Sequence, residues 1–126
     1  MKIREIYYFG NEYIKEDSLA VSVCKKLEKD FKNIKFVHIK NVFELLEKNL
    51  DNVLLVDVSK SVKKIELVDS KGVLPGGKLT PHDFDLGSFL SITNKKTKIL
   101  LIPFNYSKEK ACFEITKFLS TSLQLI

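Results

Sequence analysis

The sequence predicts an α/β protein, a three-layer α/β/α sandwich with a mainly parallel central sheet of about five strands. Two observations support this fold class. Runs rich in β-branched and aromatic residues alternate along the chain with segments whose apolar residues recur at helical spacing. The runs at 52–58 and 97–104 are almost continuously apolar, which is typical of strands covered by helices on both faces. The length of 126 residues suits one domain, so residues 1–126 are expected to form a single unit.

The first half of the chain predicts strands and helices in alternation. The segment IREIYYF at 3–9 is rich in strand-forming residues, and 17–31 places its apolar side chains on one helical stripe. The alternating segment 33–40 predicts a second strand near an edge of the sheet. Helical spacing returns at 41–50, where Asn41 stands in the N-cap position. The first of the two continuous apolar runs follows and is expected to be a central strand.

The second half of the chain is expected to add two more strands and two helices. A fourth strand at 63–70 is followed by a turn-rich loop at 71–77. The segment 80–94 begins like a helix, because Thr80 can cap it and a proline occupies its first position. The second continuous apolar run then predicts a buried strand, and 107–123 predicts a final amphipathic helix.

Charge and composition favour a protein without nucleic-acid or membrane partners. The net charge is +5, but the lysines are scattered and Arg4 is the only arginine, whereas base readers and phosphate clamps favour arginine. No segment approaches the roughly 20 apolar residues of a membrane span, and the N-terminus lacks the pattern of a signal peptide. We therefore expect a cytoplasmic protein that is not inserted in a membrane. A monomer is also expected, although the sequence does not give the oligomeric state. Cys24 and Cys112 form no CxxC pair and are expected to be small buried apolar residues.

Four polar residues fall where open α/β sheets bind ligands, beyond the carboxyl ends of strands. They are Glu16 and Asp17 on the loop after the first strand, Asp57 at the end of the central run, and His82 at a helix start. A histidine with two carboxylates suits a divalent transition metal. The acid pair would also stabilise a helix N-terminus, whereas Asp57 is costly to bury unless it is paired or bound. His38 lies on an alternating strand and is expected to be an ordinary surface residue.

Three short segments of the chain share their pattern with one protein family. They are FGNEYIKEDSLA at 9–20, VLLVDV at 53–58 and LTPHDFDL at 79–86. In this order they resemble the signatures of the hydrogenase maturation proteases: a strand with Gly-Asn and paired acids, a buried strand ending in Val-Asp, and a Ser/Thr-x-His turn into a helix. These endopeptidases trim the C-terminal tail from the large subunit of nickel-iron hydrogenases. The chain departs from the family at Ser18 and Ala20, where the family has glycines.

The resemblance implies a metal-dependent peptidase in which Glu16, Asp57 and His82 bind a divalent metal. The metal is implied to be nickel already loaded into the hydrogenase large-subunit precursor, which is the expected partner, and zinc or cadmium would substitute in vitro. Asp17 is then expected to position a ligand or to act as the catalytic base. The Gly10–Asn11 pair is expected to shape the loop, because glycine tolerates positive φ and asparagine bonds turn backbone.

Two alternatives remain open at this point. In a receiver-like regulatory domain, Asp57 would accept a phosphoryl group, and Glu16 and Asp17 would bind magnesium. Receivers, however, place their acids directly at the end of the first strand, whereas residues 10–15 intervene here. In a non-catalytic binding module on the same fold, the metal-site residues would serve only folding or a partner, and replacing His82 by alanine would leave the biological role intact.

Overall fold

The computed structural model describes residues 2–15, 17–69 and 97–123. Its strands and helices are, in chain order, β1 (Glu5–Phe9), α1 (Leu19–Asp30), β2 (Lys35–Ile39), a 3₁₀ helix (Val42–Glu47), β3 (Val53–Ser59), β4 (Glu66–Asp69), β5 (Lys98–Pro103) and α2 (Lys108–Leu123). The predicted loop at 71–77 and the predicted helix at 80–94 lie outside the described residues. Within the described ranges, neither α-helix combines the length and the hydropathy that crossing a membrane requires.

The five strands of the described chain form one sheet in the order β2-β1-β3-β5-β4. Tyr8 of β1 pairs with His38 on one side and with Val56 on the other, and both pairings are parallel. β3 pairs parallel with β5, whereas β4 is antiparallel to β5 at the outer edge. The predicted mainly parallel sheet is therefore confirmed, and β2 lies at an edge as its alternating sequence predicts. Because β2 and β3 flank β1, the carboxyl end of β1 is a switch point, where open α/β sheets bind ligands.

One face of the sheet packs against α1 and α2. Along β3, Leu54, Val56 and Val58 belong to the core on this face, since side chains alternate between the two faces of a strand. Each fully buried aliphatic side chain contributes about 1.5–3 kcal/mol, so this layer supplies much of the stability of the fold. Cys24 and Cys112 are both buried in the same core, as the sequence predicts. Burial raises the pKa of the Cys24 thiol, which makes it a poor nucleophile.

The opposite face of the sheet is covered, within the described residues, by the 3₁₀ helix. Leu45 of this helix is fully buried and shares a core with Leu55 of β3. Asn41 caps the helix as predicted, because its Oδ1 accepts a hydrogen bond from the backbone N of Phe43 at 2.8 Å. The helix expected over 41–50 is shorter than predicted and is a 3₁₀ helix. The reason is that this segment buries a single apolar side chain, Leu45, rather than the stripe of apolar side chains that stabilises a longer α-helix.

Candidate functional site

The loop after β1 is shaped by Gly10, whose φ is +130°. A Cβ atom at this position would lie 2.3 Å from the backbone oxygen of Asp17 and 3.3 Å from Cγ2 of Val21. The backbone angle and the close approach therefore both require glycine. The loop folds back so that residue 17 contacts residue 10, and the positive φ predicted for this glycine is confirmed.

Asp17 closes this loop with its carboxylate. Its Oδ2 accepts a hydrogen bond from the backbone N of Asn11 at 2.8 Å, and its own backbone N donates to the carbonyl of Ile14 at 3.0 Å. Asn11 Oδ1 accepts from the backbone N of Tyr13 at 2.9 Å, which is the turn bonding that the sequence predicts. The carboxylate of Asp17 therefore holds the loop, and its predicted role as a catalytic base stays a prediction. This geometry also explains why α1 begins at Leu19, later than predicted, since Asp17 belongs to the loop.

Asp57 lies inside β3, so the expectation that it ends the strand is wrong. The strand continues to Ser59, which still pairs with Pro103 of β5. The side chain of Asp57 is fully buried, and its Oδ1 accepts a hydrogen bond from the backbone N of Val58 at 2.8 Å. Alternation along the strand places it on the same face as Leu55, opposite α1 and α2. A buried carboxylate is costly unless it is paired or bound, which singles out this position within the sheet.

Glu16 and His82, the other two predicted ligands, lie outside the described residues. Whether they meet Asp57 therefore stays a prediction. Within the described ranges, no three His, Cys, Asp or Glu side chains are grouped so that they could hold a metal ion. The donor chemistry of the predicted set suits nickel or zinc, because imidazole and carboxylate groups are ligands that both metals accept.

A cavity of about 440 Å³ opens where the loop after β1 meets the end of β2. Its described walls include Gly10, Tyr13, Ile14, His38 and Lys40. The Nε2 atom of His38 lies 2.7 Å from the carbonyl oxygen of Gly10. Because a carbonyl oxygen only accepts, Nε2–H is the donor, and the histidine ties the edge strand to the loop. A volume of this size is within the range of small-ligand pockets.

The expectation that His38 is an ordinary surface residue is wrong. The side chain is half-buried, and its ring stacks on Tyr8 with 5.0 Å between the ring centroids. The parallel register places the two residues side by side, since Tyr8 pairs with His38 across β1 and β2. The sequence alone gives no signal for this contact, because it depends on the register between β1 and β2.

An ion pair lies at one side of the cavity. The Nζ atom of Lys25 is 2.9 Å from Oε2 of Glu12, which also lines the cavity. The hydrogen bond and the charge of each partner lower the pKa of Glu12 and raise the pKa of Lys25. Because both side chains are exposed, the pair adds little to stability. The effect of the ion pair is local: Lys25 neutralises the negative charge of Glu12 at the wall of the cavity.

The described residues provide a closed loop and, against it, a cavity lined by polar and aromatic side chains. The buried carboxylate of Asp57 lies on the neighbouring strand and is not among the described walls of this cavity. Such groups can bind a cation, a peptide group or a short polypeptide segment. The loop begins at the carboxyl end of β1, beside the switch point between β1 and β3, and the cavity lies on the β2 side of that loop. No protein-family model and no curated protein matches this chain.

Proposed function

We propose that the chain is a cytoplasmic metal-dependent endopeptidase, similar to the hydrogenase maturation proteases, which removes the C-terminal tail of a nickel-loaded hydrogenase large-subunit precursor. The observation that carries the proposal is the position of two elements on adjacent strands. The loop fixed by Gly10 and Asp17 follows β1, and the buried carboxylate of Asp57 lies on β3, which pairs directly with β1. The order of the three motifs along the chain supports the same assignment.

In this proposal Glu16, Asp57 and His82 hold the metal, and the nickel arrives as part of the precursor. A divalent metal polarises a carbonyl group and activates a water molecule. Asp17 has a positioning role in this proposal. Its carboxylate accepts the hydrogen bond from the backbone N of Asn11 and so fixes the loop that precedes α1, in which Glu16 is its neighbour in sequence. Zinc or cadmium, which accept the same ligand types, would replace nickel in a binding assay.

Calorimetric titration of the purified protein with nickel, zinc and cadmium tests the metal site. We expect one ion per chain, and loss of binding in each of the variants Glu16→Gln, Asp57→Asn and His82→Gln. The matched controls are Glu12→Gln and His38→Gln, which change the same residue types at the cavity but leave the proposed ligands in place. Circular dichroism confirms that each variant is folded.

Cleavage of a nickel-loaded precursor is the second step, with the mass of the released tail as the readout. Retained metal binding in all three ligand variants would overturn the proposed site. Metal binding without cleavage would favour the non-catalytic binding module. A mass increase of one phosphoryl group on Asp57 after treatment with acetyl phosphate would favour the receiver-like domain.

A further inference from the structure

A row of exposed residues follows the carboxyl edge of the sheet. Lys40 comes directly after β2, Lys15 lies on the loop after β1, Lys60 follows β3, and Phe104 follows β5. These four strands are parallel neighbours, so their carboxyl ends lie on one side of the molecule. With a spacing of about 4.8 Å between strands, the row from β2 to β5 is about 14 Å long.

Apolar side chains accompany these lysines. Tyr13 is 88% exposed and Ile14 is 48% exposed, and both line the cavity next to β2. Phe104 is 40% exposed at the other end of the row. The surface formed by Tyr13, Ile14, Lys15, Lys40, Lys60 and Phe104 is called the carboxyl-edge surface below. It offers a cavity for an apolar side chain at one end and an aromatic ring at the other.

The acidic side chains described near this edge are already engaged. Glu12 is paired with Lys25, and the carboxylate of Asp17 accepts from Asn11. Glu44 Oε2 accepts at 2.7 Å from the backbone N atoms that begin the 3₁₀ helix.

The lysines of the row, in contrast, are exposed. Among the described residues, none of Lys15, Lys40 and Lys60 has a carboxylate within salt-bridge distance. The Nζ atom of Lys60 lies 5.8 Å from the centroid of the Phe104 ring, which keeps the cation and the aromatic ring together at one place.

We propose that the carboxyl-edge surface docks an acidic segment of a partner polypeptide, with an apolar side chain in the cavity and carboxylates on Lys15, Lys40 and Lys60. A row of about 14 Å matches about four extended residues at 3.3 Å each. The aliphatic side chain of Ile14 and the lack of arginine among these residues favour a polypeptide over nucleic acid, whose phosphates and bases select arginine. Docking does not require cleavage. If the proposed function holds, the segment belongs to the precursor.

Selection from a phage library of random heptapeptides tests the docking, with chelator present so that the outcome is independent of metal binding. We expect the enriched peptides to carry Asp or Glu next to a large apolar residue. The enriched peptide is then labelled and its affinity measured by fluorescence anisotropy. Each exposed ion pair is worth about a two- to fivefold change in affinity, so the triple variant Lys15→Glu/Lys40→Glu/Lys60→Glu should bind at least about eightfold more weakly. Raising the salt concentration should weaken binding to the natural protein.

The matched control is Lys29→Glu/Lys32→Glu/Lys35→Glu, which reverses three exposed lysines near the opposite end of the sheet and should keep the affinity within about twofold. Ile14→Ser should weaken binding without changing the charge. Enrichment of basic or uncharged peptides, no enrichment, or equal loss in both triple variants would each overturn the proposal. Tighter binding of a single-stranded oligonucleotide, lost in the same edge variant, would identify nucleic acid as the partner instead. If metal binding fails but the peptide binds, the docking surface stands and the peptidase does not.

Discussion

Replacing Gly10 by alanine should destabilise the protein by distorting the loop after β1. The added methyl group would lie 2.3 Å from the backbone oxygen of Asp17, which is closer than any carbon–oxygen contact allows. A positive φ held by a residue other than glycine costs about 1–3 kcal/mol, and overpacking costs about the same again. The loop is exposed and relaxes in part, so we expect the free energy of unfolding to fall by about 2–4 kcal/mol.

Urea denaturation followed by circular dichroism measures this change. With a slope near 2 kcal/mol per molar urea, typical of a domain of this size, the midpoint should fall by about 1–2 M. Lys15→Ala on the same loop is the control and should change the free energy of unfolding by no more than about 0.5 kcal/mol. A Gly10→Ala variant with the midpoint of the natural protein would refute the reasoning, because the loop would then tolerate a Cβ atom at this position.

Two further predictions concern backbone conformation and alkaline pH. Asn52 has φ +62° at the turn before β3, so Asn52→Gly should be neutral or slightly stabilising, whereas Asn52→Val should lower the free energy of unfolding by about 1–2 kcal/mol in thermal unfolding. Equal melting temperatures for both variants would contradict this. Burial, followed by the hydrogen bond to Glu5, raises the pKa of Tyr7 to about 12 from its usual value of 10.0. The contribution of the protonated Tyr7 to the free energy of unfolding should therefore be complete below pH 10 and be lost as the pH rises towards 12. Tyr7→Phe should remove this loss of stability. It should also remove the phenolate signal that develops at the highest pH in an absorbance titration.

The central part of the fold could be predicted because its signals are long and consistent. The run at 52–58 is apolar apart from Asn52 and Asp57, because every residue of β3 is buried. The stripe of α1 and the cap at Asn41 are local patterns that need no knowledge of the partner surface. The ends of helices and strands, in contrast, depend on contacts with neighbouring segments. The acid at position 17 looked like the start of a helix but serves the preceding loop instead.

The candidate site was harder to predict, because its geometry depends on contacts between distant segments. Alternation along 33–40 predicts the strand but not the half-buried position of His38 against Tyr8, which depends on the register with β1. The depth of Asp57 within β3 could not be read from VLLVDV, because Ser59 continues the strand only through its pairing with Pro103. The metal set joins residues from three segments, and two of its members lie outside the described residues, so it stays a prediction.

The position of β5 in the sheet has a consequence for how the chain folds as it is synthesised. β5 lies between β3 and β4, and the buried Thr97 Oγ1 donates to the carbonyl of Val53 from 44 residues away. Until the ribosome has released that part of the chain, one side of β3 has no strand beside it. An apolar strand with an open edge is a template for aggregation, and pairing across such a distance is slow. The nascent protein is therefore most prone to aggregation, and most dependent on chaperones, after residues 53–59 have been synthesised and before residues 98–103 can pair with them.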